Sequence, residues 1–143
     1  MSAFRRVVFD TSTLVSAALR VGSTPHLALA HALATAEVCA SASTLAELEH
    51  VLRRAKFDRY QPMDIRQEFA AMLRGSSSLF VVSGASVSSP SPPCRNAKDN
   101  QFLALLEACD ADVLISSDAD LLVLDPWNGV PILSPSEFLE RSK

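Results

Sequence analysis

The chain is expected to fold as an α/β domain with helices on both faces of a four- or five-stranded parallel sheet, a three-layer α/β/α sandwich. Three observations predict it. Short apolar runs such as Val7-Val8-Phe9 and Val113-Leu114-Ile115 have the unbroken hydrophobicity of strands buried on both faces. Longer stretches carry helical spacing, among them Leu45, Leu48, Val51 and Leu52, and Phe102, Leu105, Leu106 and Cys109. The two kinds of segment alternate, as crossover connections in a parallel sheet require.

The first strand is expected over Arg5 to Phe9. Thr11-Ser12-Thr13 offers capping hydroxyls for a helix through about Leu19. After the break at Gly22-Ser23, Thr24 and Pro25 suit the N-cap and first position of a helix through about Ala34. A short strand over Glu37 to Ala40 precedes a helix from about Thr44 to Ala55, and Lys56 to Gln61 reads as a polar turn. Pro62 opens a helix that Gly75 closes, and Leu79 to Val82 is the third strand. Ser83 to Lys98, with Pro90, Pro92 and Pro93, is a low-complexity loop. Asp99 begins the next helix, Val113 to Ser116 and Val130 to Leu133 are the last strands, and Ser134-Pro135 caps a terminal helix ending near Arg141.

At 143 residues the sequence is expected to form one domain, residues 1–143, and 48% hydrophobic with 20% charged residues is a globular composition. A net charge of −3 argues against a protein that coats nucleic acid, yet it does not exclude a nuclease whose own site gathers negative charge. Three cysteines, Cys39, Cys94 and Cys109, form no CxxC pair and no disulfide framework, which favours a reducing compartment. Cys39 and Cys109 read as small core residues. Asp10 interrupts any leader-like run, and the Ala-rich stretch from Leu27 to Ala42 is broken by His31 and Glu37. A soluble, cytoplasmic protein with no membrane segment is expected.

Four acids at element boundaries carry the chemical argument: Asp10, Glu47, Asp99 and Asp118. Ligands of parallel α/β sheets bind outside the carboxyl ends of the strands. Carboxylates gathered there repel one another unless a cation neutralises them, and an oxygen-rich site suits Mg²⁺ or Mn²⁺. The leading reading is a metal-dependent phosphodiesterase. Each acid also has a plainer explanation. Asp10, directly after a buried strand, is either a metal ligand or the cap of the following helix. Thr44-Leu45-Ala46-Glu47 fits a capping box, and on this pattern alone capping is the stronger role for Glu47. For Asp99, a surface ion pair with Arg95 or Lys98, a helix cap and a metal ligand all stand open. Asp118 and Asp120 follow a buried strand two residues apart; Asp118 is favoured as ligand with Asp120 in its outer shell, while either could cap a short helix. Ser12 and Ser116 could hold water or orient a carboxylate.

Other chemistries find less support. The sequence has no Gly-rich phosphate loop, no G-x-S-x-G and no histidine pair at metal spacing. His26, His31 and His50 fall on expected helices and read as structural. Arg53, Arg54, Lys56 and Arg59 form a basic cluster, by default a solvated face, alternatively a contact for a phosphate backbone.

Taken in order, these motifs resemble the PIN-domain ribonucleases, especially the VapC-like toxin components of bacterial and archaeal toxin–antitoxin pairs. The resembling stretches are Val7-Val8-Phe9-Asp10-Thr11-Ser12, Thr44-Leu45-Ala46-Glu47-Leu48 with Arg53-Arg54-Ala55-Lys56-Phe57, and Lys98-Asp99-Asn100. Leu114-Ile115-Ser116-Ser117-Asp118-Ala119-Asp120-Leu121 and Ile132-Leu133-Ser134-Pro135-Ser136-Glu137-Phe138-Leu139 complete the match, which is collinear over nearly the whole chain.

The resemblance implies Mg²⁺ or Mn²⁺ held by Asp10, Glu47, Asp99 and Asp118, with Ser116 at the family's hydroxyl position. This raises Glu47 above its capping role. Single-stranded RNA is the implied substrate, a homodimer the implied assembly, and an antitoxin the implied partner. Metal-assisted hydrolysis by one ion, or by two about 3.5–4 Å apart, is the implied mechanism, with the basic cluster on the RNA backbone. Ser12 departs from the Asn frequent at its position in the family, which affects an outer-shell hydrogen bond and leaves the carboxylates intact. Two rivals remain: a non-catalytic module of the same fold that binds RNA or an antitoxin, and a phosphotransfer or receiver-like domain phosphorylated on Asp10. Ser12 stands where the latter's haloacid-dehalogenase relatives carry a second Asp.

Overall fold

Along each long strand the side chains alternate between two separate apolar layers. In β1 (Arg6–Phe9), Val7 and Phe9 enter one core and Val8 the other. In β4 (Val113–Ile115), Val113 and Ile115 share the first layer and Leu114 the second. Both faces of the sheet are therefore buried, which explains the unbroken apolar runs. The computed structural model describes residues 4–82 and 92–142.

The other strands are β2 (Glu37–Ala40), β3 (Ser78–Leu79) and β5 (Ile132–Leu133). All pairings are parallel, in the order β3-β2-β1-β4-β5. The register places Phe9 opposite Ile115. The residues that follow them, Asp10 and Ser116, thus leave the sheet side by side.

The first layer is formed by α1 (Thr11–Leu19), α2 (Thr24–Thr35), α3 (Ala42–Leu52), α4 (Met63–Ser76) and α7 (Pro135–Arg141). Phe138 of α7 is fully buried there against Phe4, Phe9 and the ring of His31. The second layer is formed by α5 (Asn100–Cys109) and α6 (Ala119–Leu122), with Trp127 beneath them. The indole of Trp127 donates to the Pro92 carbonyl at 2.7 Å, fixing the chain that leads toward Asp99. Among the described residues no helix is long and apolar enough to cross a membrane.

Several local expectations are corrected. The cap of α1 is Asp10 rather than a hydroxyl of the Thr-Ser-Thr run, because its carboxylate accepts from the Thr13 amide at 3.0 Å. Ser23 rather than Thr24 caps α2. Helix α3 starts at Ala42, where Ser41 and Thr44 cap one another reciprocally, so the capping box expected of Thr44 and Glu47 lies one turn earlier and without the acid. Gly75 lies inside α4 instead of ending it. The third strand is shorter than expected because only Cys39 and Ala40 are available to pair with Ser78 and Leu79 before β2 ends. Of the expected 83–98 loop, residues 83–91 lie outside the described residues, and Ala97–Asp99 form a 3₁₀ turn leading into α5. Helix α5 closes at Asp110, whose φ of 53° places it in the left-handed region that Asp tolerates better than most residues.

Candidate active site

Four chain segments bring Asp10, Glu47, Asp99 and Asp118 to one cleft of about 410 Å³, at the carboxyl ends of β1 and β4. Its walls include Ser12, Val15, Ser16, Arg54, Phe57 and Lys98.

Asp10 is the most constrained of the four. Its amide still joins the sheet, donating to the Ile115 carbonyl at 3.2 Å, and only 2% of the residue is exposed. One carboxylate oxygen accepts from the Thr13 amide at 3.0 Å; the other accepts from Ser116 Oγ at 2.7 Å and Ser12 Oγ at 3.1 Å. Burial pushes its pKa up, against the opposing pull of these hydrogen bonds. Asp10 therefore caps α1 while its side chain lines the cleft.

Ser116 links the first acid to the fourth. It is fully buried, donates to Asp10 and accepts from the Asp118 amide at 2.9 Å. Asp118 caps α6, its Oδ1 accepting from the Asp120 amide at 2.9 Å. Asp120 thus reaches the site through its backbone; its side chain is not part of the cleft wall.

Asp99 feels the charges of the other three acids directly. Burial first, then the hydrogen bond with Asp118, then the charges of Asp118, Asp10 and Glu47 push its pKa up to about 7. Its Oδ2 is buried and has no hydrogen-bond partner. Asn100 beside it is buried and accepts from the Cys94 amide at 2.7 Å, anchoring the approach to the turn, while Cys94 Sγ donates to the Asp120 carbonyl at 3.5 Å.

Glu47, free of the helix cap, is engaged by Gln101 Nε2, and Gln101 Oε1 in turn accepts from Ser43 Oγ at 2.7 Å. An all-oxygen donor set with a buried, unpartnered carboxylate oxygen and a carboxyl whose pKa burial and neighbouring acids push up fits a hard divalent cation. As the side chains stand, no three His, Cys, Asp or Glu residues among those described close around a common point. The carboxylates are held instead by Gln101, by the Asp120 amide and by one another.

A model of the PIN domain matches residues 6–120. The chain belongs to the PIN-domain family. None of the curated proteins matches it in sequence. Among solved structures, this PIN domain is similar to PAE2754 from Pyrobaculum aerophilum, at 13% identity and a TM-score of 0.63 over 96% of this chain and 89% of that one. It is similar to VapC20 of Mycobacterium tuberculosis, a toxin that cleaves the sarcin–ricin loop, at 16% identity and a TM-score of 0.56 over 80% of this chain and 91% of that one. The VapBC2 structure from Rickettsia felis, bound to a DNA fragment from its promoter, matches at 13% identity and a TM-score of 0.58 over 90% of this chain and 97% of that one. At such identities the likeness is one of fold.

The basic cluster of this PIN domain is divided. Arg54 lines the acidic cleft, whereas Arg53 lines a separate hollow between α3 and α4 with Glu49 and Arg74. Lys56 lies 5.2 Å from the centre of the Phe57 ring and Arg59 5.2 Å from that of Tyr60. The loop carrying them is held by Arg66, which the sequence does not reveal. Arg66 is fully buried, pairs with Asp58, and donates to the carbonyls of Gln61 at 2.9 Å and Arg54 at 3.1 Å, as well as to that of Leu52. In a helix as polar as α4 it reads as one more surface cation. Gln101 is hidden for a related reason: its partners Glu47 and Ser43 lie far away along the chain and meet it only in the tertiary fold.

Proposed function

We propose that this PIN domain is a metal-dependent endoribonuclease, hydrolysing phosphodiester bonds of single-stranded RNA, and the toxin of a type II toxin–antitoxin pair. The observation that carries the reading is the convergence of Asp10, Glu47, Asp99 and Asp118 on one cleft, with Asp99 pushed up to about 7 and one of its oxygens buried without a partner. These four side chains would hold Mg²⁺ or Mn²⁺. When bound, the cation supplies Lewis acidity that activates water and stabilises the departing oxygen.

The chain's own residues do the rest. Ser116, Ser12 and the Thr13 amide orient the Asp10 carboxylate, and Ser116 also fixes the backbone of Asp118. Arg54 and Lys98 on the cleft wall offer positive charge to a phosphate entering between the acids. Lys56 and Arg59 extend that charge along the polynucleotide, while Arg53 would meet it only outside the cleft, from the separate hollow between α3 and α4. Likeness in fold to VapC20 and VapBC2 supports an antitoxin as protein partner, and a homodimer is the assembly proposed.

The test is incubation of purified, antitoxin-free protein with labelled single-stranded RNAs in Mn²⁺, Mg²⁺ or EDTA, beside Asp10→Asn. Cleavage that needs metal and is lost in the variant is expected. Unchanged Mn²⁺ affinity in Asp10→Asn would remove this residue from the site. No cleavage with either metal would leave a binding module.

A further inference from the structure

A second groove opens directly off the acidic cleft. It measures about 450 Å³ and is lined by Val15, Ser16, Leu19, Arg20, Ser23, Pro25, Phe57 and Tyr60. Val15, Ser16 and Phe57 belong to both walls, so the groove adjoins the acidic cleft. Tyr60 on its wall is 44% exposed as a residue, although its ring lies against two cations. The guanidinium carbon of Arg59 is 5.2 Å from the ring centre and that of Arg20 is 5.7 Å away. Among the described residues neither guanidinium has a carboxylate partner. Tyr60 thus keeps part of its surface open, and the two guanidiniums against its ring have no ion-pair partner among the described residues.

We propose that Tyr60, flanked by Arg20 and Arg59, is a stacking subsite for an unpaired base of the RNA, a short distance along the strand from the bond to be cut. The inference rests on the ribonuclease reading. Unstacked bases seek aromatic faces or guanidinium planes, and this cluster presents both. The flanking phosphates meet Arg20 and Arg59, and the apolar floor of Leu19, Pro25 and Phe57 excludes water from the base edge. A net charge of −3 gives the protein no general attraction for a polyanion, so local cations must supply the grip. A base inside a duplex is already stacked on both faces and cannot use the ring, so the subsite selects single strands. It also explains why two cations accompany a tyrosine that has no packing role in either core.

The test compares wild type, Tyr60→Ala and Tyr60→Phe on a dye-labelled single-stranded RNA and on an oligomer of equal length that is abasic at the positions flanking the cut. Binding is read by anisotropy in EDTA, and cleavage by kcat and KM in Mn²⁺. Tyr60→Ala is expected to weaken binding of the intact RNA about 5- to 150-fold, the range that stacking covers by alanine substitution. KM rises by a similar factor with kcat little changed, the abasic oligomer does not distinguish the proteins, and Tyr60→Phe behaves as wild type. Arg59→Gln is expected to flatten the salt dependence of binding by about 0.7 in log–log slope for each phosphate the side chain no longer neutralises. Wild-type affinity and KM in Tyr60→Ala would overturn the subsite and leave the nuclease standing. Equal weakening on intact and abasic oligomers would overturn it too, assigning the side chain to the shape of the loop. Wild type that neither binds nor cuts any RNA would remove both the subsite and the ribonuclease on which it rests.

Discussion

Asp99 and Asp118 line the same cleft, and after burial the neighbouring Asp118 carboxyl is the largest cause that pushes the Asp99 pKa up. Asp99 has its pKa raised from 3.8 to about 7, so the folded state binds more protons than the unfolded chain throughout that interval. Stability is then complete at low pH with respect to this group and falls as pH rises through the interval. Thermal melts in EDTA are expected to show a lower Tm at about pH 7.5 than at about pH 5, a drop that Asp99→Asn reduces. The idea fails if the variant shows the full wild-type drop. Added Mn²⁺ is expected to raise Tm more at the higher pH, where no proton competes for the carboxylates.

Ser116 is the hinge pin between the first and fourth acids. Ser116→Ala leaves the buried Asp10 oxygen one donor short and the Asp118 amide without its acceptor. The expected cost is about 1–3 kcal/mol of stability, read by urea denaturation. Removing a hydrogen bond that orients a ligand should also weaken Mn²⁺ binding about 10- to 100-fold. A variant with wild-type metal affinity would show that Ser116 serves the fold alone.

Arg66 governs the loop that carries the basic residues. Arg66→Ala abandons the carbonyls of Leu52, Arg54 and Gln61 together with Asp58. A loss on the order of 3–5 kcal/mol is expected, because buried acceptors lose a charged donor and a large side chain leaves a void. Arg66→Lys should rescue it only in part, since one ammonium cannot span acceptors spread over several residues. Calorimetry of the two variants checks the order.

Arg54 and Lys98 stand on the cleft wall beside the acids. Arg54→Gln and Lys98→Gln are expected to weaken RNA binding similarly for all sequences, each lowering the salt slope by about 0.7 if it meets one phosphate. A sequence-selective loss in a panel titration would instead make them base readers.

Much of the fold was legible because burial on both faces leaves an unmistakable apolar run. β1 and β4 were visible for that reason, and Asp10 and Asp118 stood out as charges just past them. Glu47 was harder. The Thr44-to-Glu47 spacing imitates a capping box, while the true cap, Ser41 with Thr44, has no acid to announce it. What stayed hidden was long-range. Gln101 meets Glu47 across 54 positions, Arg66 reaches back 14 to Leu52, and Arg20 finds Tyr60 only after α1 has folded against the loop. No local pattern encodes such meetings. The length of β3 was set likewise by its neighbour, since β2 ends at Ala40.

The parallel pairing of β1 with β4 has a consequence for biosynthesis. Asp10 emerges from the ribosome early, but the strand that supplies Ser116 must be threaded in beside β1, 106 positions later. With the remaining acids at positions 47, 99 and 118, no early fragment of the polypeptide holds the whole set. A growing chain therefore cannot assemble the acidic cleft until most of it has been translated and β4 has docked.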